Sequence, residues 1–152
     1  MNRSTAFERL KAAMNEFEAV RFCIERVHRT VVSDPTTLAN PDLALRPSDL
    51  RESLRNLEVT YALRLFAEFE AVLRDYWGVK RPIPRPRHTR IEILLNRVAS
   101  YNNIDTTTVA SAHAVREYRN DIVHDRLRTP RFTIHDCKSR LATFLSYLPV
   151  SW

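Results

Sequence analysis

The amino-acid sequence predicts an all-α fold, a bundle of about five helices in which two long antiparallel helices carry shorter ones. Only one glycine, Gly78, occurs in 152 residues, whereas a β-rich protein needs glycines in its hairpin turns. Apolar residues recur instead at the three- and four-residue spacing of amphipathic helices. The length suits one core, so we expect a single helical domain over residues 1–152.

Two long helices are predicted first. Residues 3–31 carry an apolar stripe of helical period, and residues 32–48, with three prolines, are predicted to form a loop. The second helix is predicted over residues 48–77, with Ser48 or Asp49 as its N-terminal cap and Gly78 at its end. Its apolar members are Leu50, Leu54, Leu57, Tyr61, Leu65, Phe69, Val72 and Tyr76.

Three shorter helices follow, each with a start signal. Thr89 with Glu92 forms a capping-box pattern for a helix over residues 89–101. Asp105 can cap a fourth helix over residues 105–128, which Pro130 prevents from continuing. Thr133 can cap a fifth over residues 133–148.

The charge of the chain indicates the class of partner. The formal net charge is +6, and arginine supplies all but three of the 24 cations. Arginine binds phosphates bidentately and stacks on bases, which favours a nucleic-acid partner. A genome rich in G and C would give the same bias without any such partner. No apolar run approaches a membrane span and no signal-peptide core is present, so we expect a cytoplasmic protein without a membrane partner.

Cys23 and Cys137 lie on apolar-patterned segments, which predicts buried free thiols. Together with His135 and Asp136 they could be considered as metal ligands. The spacing matches no zinc pattern, so no metal site is predicted.

The most informative stretch is REYRNDIVHD, residues 116–125, on the predicted fourth helix. Arg116, Asn120 and His124 are spaced four apart and form a polar ladder on one face. Arg119 falls beside the apolar stripe, where a guanidinium needs a partner or a function. A structural ion pair with Glu68 of the second helix is one interpretation, and a catalytic role is the other.

Arg119, Asn120 and His124, with three residues between the last two, resemble the signature of HEPN domains. These domains are helical bundles of four or five helices with the motif on a late helix, as predicted here. The resemblance implies a metal-independent endoribonuclease, often a toxin or phage-defence effector, with a cognate antitoxin or regulatory protein as partner. Some HEPN proteins carry a tyrosine two residues after the histidine, where a partner enzyme modifies it. Arg126 occupies that position here, which speaks against such modification.

The residues themselves can support this chemistry without a cofactor. Attack of a 2′-hydroxyl on its own phosphate needs a base, an acid and a clamp for charge on the phosphate oxygens. Histidine can serve as acid or base near neutral pH, and arginine can clamp the oxygens. Arg119 and His124 are five residues apart, so on a regular helix they diverge by about 140°. Either the helix distorts near its end or a homodimer shares the site about a two-fold axis; we favour the homodimer.

A basic segment lies between the second and third predicted helices. It contains Arg81, Arg85, Arg87 and Arg90, and prolines hold it extended. Its cations are predicted to track an RNA backbone, although a solvated basic loop is an equally good interpretation. Tyr76 and Trp77 nearby could stack on bases, with Tyr76 the better candidate for the core.

Two classes of function remain open at this point. The first is a dimeric HEPN-type endoribonuclease that uses Arg119, Asn120 and His124, supported by Glu68 and Arg116. The second is a non-catalytic HEPN-like module for RNA or nucleotide binding or for protein assembly. An intact arginine, amide and histidine favour the first.

Overall fold

A computed structural model describes residues 1–34, 36, 46–81, 89–124 and 131–152. In these residues the chain forms five α-helices and no strand, apart from an isolated bridge between Asn2 and Ser151. The predicted all-α fold is therefore confirmed. The helices are α1 (Arg3–Ser33), α2 (Pro47–Lys80), α3 (Ile91–Tyr101), α4 (Thr106–Val123) and α5 (Ile134–Ser146).

The two long helices pack against each other in antiparallel orientation, as predicted. Arg9 of α1 donates to Glu68 of α2 at 2.7 Å, and further along α1 Glu16 pairs with Arg64 of α2. Residue numbers thus increase along α1 where they decrease along α2, which is the pattern of an antiparallel pair. None of the helices in the described ranges combines the length and hydropathy that crossing a bilayer requires.

The core is one contiguous cluster to which all five helices contribute. The second half of α2 is its centre, where Phe69 is fully buried and packs edge-on against Phe144 of α5 at 5.5 Å between ring centroids. The first half of α2 is less buried, and its predicted stripe residues Leu50, Leu54 and Leu57 are only partly covered. The apolar stripe of α2 therefore extends beyond the part of the helix that the other helices cover.

The connection between α3 and α4 is a tight turn held by backbone bonds. Asn103 has φ of 51°, in the left-handed region that asparagine tolerates better than most residues. The N–H of Ile104 donates to the carbonyl of Ala99 at 3.0 Å, which closes the end of α3. The Tyr76 hydroxyl donates to Asn102 at 2.8 Å and ties this turn to α2.

Asp105 caps α4 as predicted, because its side chain accepts from the Thr108 N–H at 2.8 Å. The hydroxyl of Tyr147, just beyond α5, donates to the same carboxylate at 2.6 Å. This bond, helped by the capping bonds, lowers the pKa of Asp105 to about 2. The start of α4 and the end of α5 are thereby held together.

Two predicted helix starts were wrong. Helix α2 begins at Pro47 with Arg46 at the cap position, because proline suits the first helical turn. Asp49 then lies within that first turn and accepts from the Arg46 N–H at 2.8 Å. Helix α3 begins at Ile91, with Arg90 rather than Thr89 at the cap position.

The predicted end of α2 at Gly78 was also wrong, because the helix continues through this residue to Lys80. Glycine inside a helix costs roughly 1 kcal/mol relative to alanine. Tyr76 and Trp77 are buried in the preceding turn, and their packing offsets that cost.

The cap of α5 provides a test of helix stability. Thr133 accepts from the Asp136 N–H at 3.1 Å, and Asp136 accepts from the Thr133 N–H at 3.0 Å. Thr133→Ala is expected to lower the free energy of unfolding by about 1 kcal/mol in urea titrations. The control is Thr143→Ala, whose exposed hydroxyl bonds only to a carbonyl of its own helix, and a change within about 0.5 kcal/mol is expected. Equal losses in both variants would contradict the capping role.

Candidate functional site

The predicted catalytic residues lie at the C-terminal end of α4. Arg119 and Asn120 occupy the last turn, and His124 is the first residue beyond the helix. The helix was predicted to reach residue 128, but it ends at Val123. Arg131, the first residue of the next described range, pairs with Asp121 of α4 at 3.2 Å. Arg126, where some HEPN proteins have tyrosine, lies outside the described residues.

Arg119 is held by its neighbour on the helix. Its guanidinium donates to the Asn120 side-chain oxygen at 3.0 Å, and the pair is partly buried. The expected ion pair between Arg119 and Glu68 is not formed, because Glu68 faces α1 and pairs with Arg9. Asn120 is neutral, so it orients the guanidinium without cancelling its charge.

His124 is exposed, and its ring has no hydrogen-bond or ion-pair partner among the described residues. Its backbone N–H still donates to the carbonyl of Asn120 at 3.0 Å, the bond of a regular helical turn. His124 is nevertheless the C-cap, and its φ of −97° and ψ of 12° lie outside the helical range. Side chains five residues apart diverge by about 140° on a regular helix, and no contact between the side chains of Arg119 and His124 occurs within the described residues.

Arg116 does not form an open ladder with Asn120 and His124. Its side chain is only 16% exposed and lies against α3, where it pairs with Glu92 at 3.5 Å, and it also pairs with Glu117 at 3.6 Å. Its Nε is buried without an acceptor among the described residues. Arg116 thus fixes α4 to α3 one turn before Arg119.

His113 extends this polar contact between α3 and α4. Its Nε2 lies 2.8 Å from the side-chain oxygen of Asn96. Burial lowers the pKa of His113, and the nearby Arg116 lowers it further. The sequence did not single out Glu92 as a partner or Asn96 at all, since the partners of a helix face depend on how its neighbour packs.

The basic segment is described only at its ends. Arg81 and Arg90 are exposed and make no ion pair with a described carboxylate, whereas Arg85 and Arg87 lie outside the described residues. Tyr76 is fully buried and Trp77 is 8% exposed. Tyr76 is therefore a core residue, and neither ring is available for stacking as it stands.

The cysteine cluster that the sequence raised as a metal site does not assemble. Cys137 is buried, and desolvation raises its pKa to about 12. His135 pairs with Glu18 at 3.1 Å. Cys23 is exposed, so its predicted burial was wrong, because it lies off the face of α1 that packs on α2. No group of three or more metal-ligating side chains occurs in the described part of the chain.

No protein-family model, no curated protein and no solved structure matches the chain.

The lowered pKa of His113 predicts a pH dependence of stability. The unfolded chain binds a proton at this residue near its ordinary pKa of about 6.5, whereas the folded chain binds it at lower pH. Stability should therefore fall as the pH drops below about 6.5. In urea titrations over a pH series, His113→Gln should lose less stability on acidification than the wild type. Parallel curves for the two proteins would contradict this assignment.

Proposed function

We propose that this chain is a metal-independent endoribonuclease of the HEPN type, acting as a toxin or phage-defence effector. The observation that carries the proposal is the state of the motif at the end of α4. Asn120 orients Arg119 at 3.0 Å without neutralising it, and the His124 ring is exposed. Arg119 could thus bind phosphate oxygens and His124 could act as acid or base, and both lie at one end of α4 in a positively charged chain.

The proposed reaction is attack of an RNA 2′-hydroxyl on the adjacent phosphate. His124 takes the hydroxyl proton or donates one to the departing 5′-oxygen, and the products are a 2′,3′-cyclic phosphate and a free 5′-hydroxyl. Arg119 binds the non-bridging oxygens as negative charge develops on them. Asn120 is a positioning residue, because its described bond is to Arg119. The basic segment with Arg81, Arg85, Arg87 and Arg90 holds the RNA backbone.

A homodimer resolves the divergence of Arg119 and His124. A two-fold axis near the end of α4 brings the arginine of one chain towards the histidine of its partner, and supplies two histidines for the acid and base roles. Val123, next to His124, is 50% exposed and offers an apolar contact at this end. A cognate antitoxin or regulatory protein would act by covering this surface.

A non-catalytic module for RNA or nucleotide binding or for assembly is the second candidate. The observation that favours it is the engagement of Arg116 and Arg119 in bonds within the chain. Such bonds are also what a purely structural role would require. The nuclease predicts that folded variants of Arg119 or His124 lose turnover, whereas the binding module predicts no such loss.

Substitution of the motif histidine tests the proposed chemistry. His124→Ala should lower RNA cleavage in EDTA by about 10²–10⁴-fold, because the acid or base is lost. Its ring has no described partner, so the melting temperature should stay unchanged. The control is His28→Ala on α1, which should cleave like the wild type. The wild-type products should end in a 2′,3′-cyclic phosphate, detected by mass spectrometry.

Several outcomes would overturn the nuclease proposal. Folded His124→Ala that turns over like the wild type would move the activity elsewhere, and the binding module would then take precedence. Cleavage of DNA at an equal rate would contradict the role of the 2′-hydroxyl. Arg119→Lys should be inactive, because an ammonium group cannot bind two phosphate oxygens as a fork. An Arg119→Lys variant that cleaves RNA like the wild type would contradict the proposed role of Arg119.

Subunit mixing tests the shared site. Wild-type chain at fixed concentration is equilibrated with a large excess of His124→Ala chain, and turnover is measured at saturating RNA. Activity should fall in proportion to the fraction of pairs in which both chains are wild type. Unchanged activity would contradict the need for two histidines, one from each chain, and a monomeric mass by light scattering would contradict the homodimer.

A further inference from the structure

A groove between the end of α2 and the outer face of α3 combines cations with an exposed aromatic ring. It has a volume of about 490 Å³, and its lining includes Trp77, Arg81, Ile93, Arg97 and Tyr101. Tyr101 is 48% exposed, although its ring contacts Trp77 edge-on at 6.1 Å between centroids. The groove borders the contact between α3 and α4, because Asn96 lines it and also bonds to His113 of α4.

The two arginines of the groove have free charges. Neither Arg81 nor Arg97 forms an ion pair or hydrogen bond through its side chain within the described residues. Other arginines of the chain are neutralised, as Arg64 is by Glu16 and Arg74 by Glu70. Two uncompensated guanidinium groups in one groove attract a polyanion.

The remaining lining fits a nucleobase. Ile93 is 43% exposed, so an apolar surface accompanies the Tyr101 ring. Ser100 adds a hydroxyl and Asn96 adds an amide NH2 group that can bond to base edges, whereas the Asn96 oxygen is bonded to His113. Aromatic rings for stacking beside cations for the backbone are the combination by which proteins bind single-stranded nucleic acids.

We propose that this groove binds single-stranded RNA, with a base stacked on Tyr101 and the backbone phosphates on Arg97 and Arg81. The identity of the ligand rests on the proposed ribonuclease function. Duplex RNA does not fit, because its bases are stacked on one another and cannot reach the Tyr101 ring. Ile93 and Tyr101 span about 12 Å of the α3 axis, which suits a short stretch of strand.

The groove also lies where RNA could pass on to the motif. Glu92, next to Ile93 at the start of α3, pairs with Arg116, which is one turn before Arg119 on α4. Arg90 caps the same end of α3 without a side-chain capping bond. An RNA strand held along the groove therefore leads towards the end of α4 that carries Arg119.

Binding is measured by fluorescence anisotropy with a short single-stranded oligonucleotide carrying 2′-O-methyl groups. The probe cannot be cut by 2′-hydroxyl attack, so its binding is independent of catalysis. Tyr101→Leu should weaken binding by roughly 5- to 150-fold, and Tyr101→Phe should bind like the wild type. Arg97→Gln should weaken binding and reduce the salt slope by about one. Arg51→Gln, at an exposed arginine in the first half of α2, is the matched control.

A second oligonucleotide of equal length with abasic positions separates stacking from charge. Tyr101→Leu should leave its binding unchanged, whereas Arg97→Gln should still weaken it. Because Tyr101 contacts Trp77, the melting temperature of each variant is measured. A photo-cross-link from a 5-iodouracil probe to the peptide containing Tyr101 tests the wild-type chain directly.

The proposal is overturned if folded Tyr101→Leu and Arg97→Gln bind the probe like Arg51→Gln, or if the cross-link lies only on other peptides. Stronger binding of duplex than of single-stranded probe also overturns it. Failure of the nuclease proposal gives a different pattern, in which the Tyr101 and Arg97 variants lose binding but no RNA is cleaved. If RNA is cleaved but binding does not depend on Tyr101 or Arg97, the nuclease proposal is supported and the groove is excluded as the RNA site.

Discussion

The packing of α2 against all four other helices holds together the elements on which the proposed functional residues lie. The second half of α2 has buried residues on several sides. The ring of Phe69, for example, contacts both Phe66 of the same helix and Phe144 of α5. A helix that is buried on so many sides leaves few positions for charged groups. Glu68 pairs with Arg9 of α1, and it is therefore not available to α4.

Two partly buried arginines near the end of α4 have partners close by. Arg119 bonds to Asn120, and Arg116 pairs with carboxylates on α3 and α4. Their remaining charge differs, because only Arg119 has a neutral partner. A partly buried guanidinium that is oriented by an amide keeps its attraction for a phosphate, whereas one between two carboxylates does not. This difference separates Arg119, as the proposed clamp, from Arg116, which joins two helices.

The proposed RNA path depends on arginines along α3 that form no ion pair within the described residues. Arg90 is at the N-cap position of α3, and the first N–H groups of this helix add the positive end of the helix dipole. Arg97 and the ring of Tyr101 follow on the outer face, with Arg81 across the groove. Single-stranded RNA needs both cations and an exposed ring, because the phosphates supply most of the affinity and the unstacked bases supply the remainder. In this proposal Arg81 and Arg90, the described ends of the basic segment, extend the groove towards α4.

The sequence by itself determined the helical class, the two long helices, and the caps at Asp105 and Thr133, because these follow from residue period and short-range hydrogen bonds. It also determined the spacing of Arg119, Asn120 and His124, which on a regular helix separates the arginine from the histidine by about 140°. Only the tertiary structure decided which carboxylate each arginine meets, that Trp77 is covered while Tyr101 is open, and that α4 ends at Val123. Those outcomes depend on which face of one helix packs on another and on where each helix ends. Contacts between residues far apart in sequence set both, and local pattern carries no information about them.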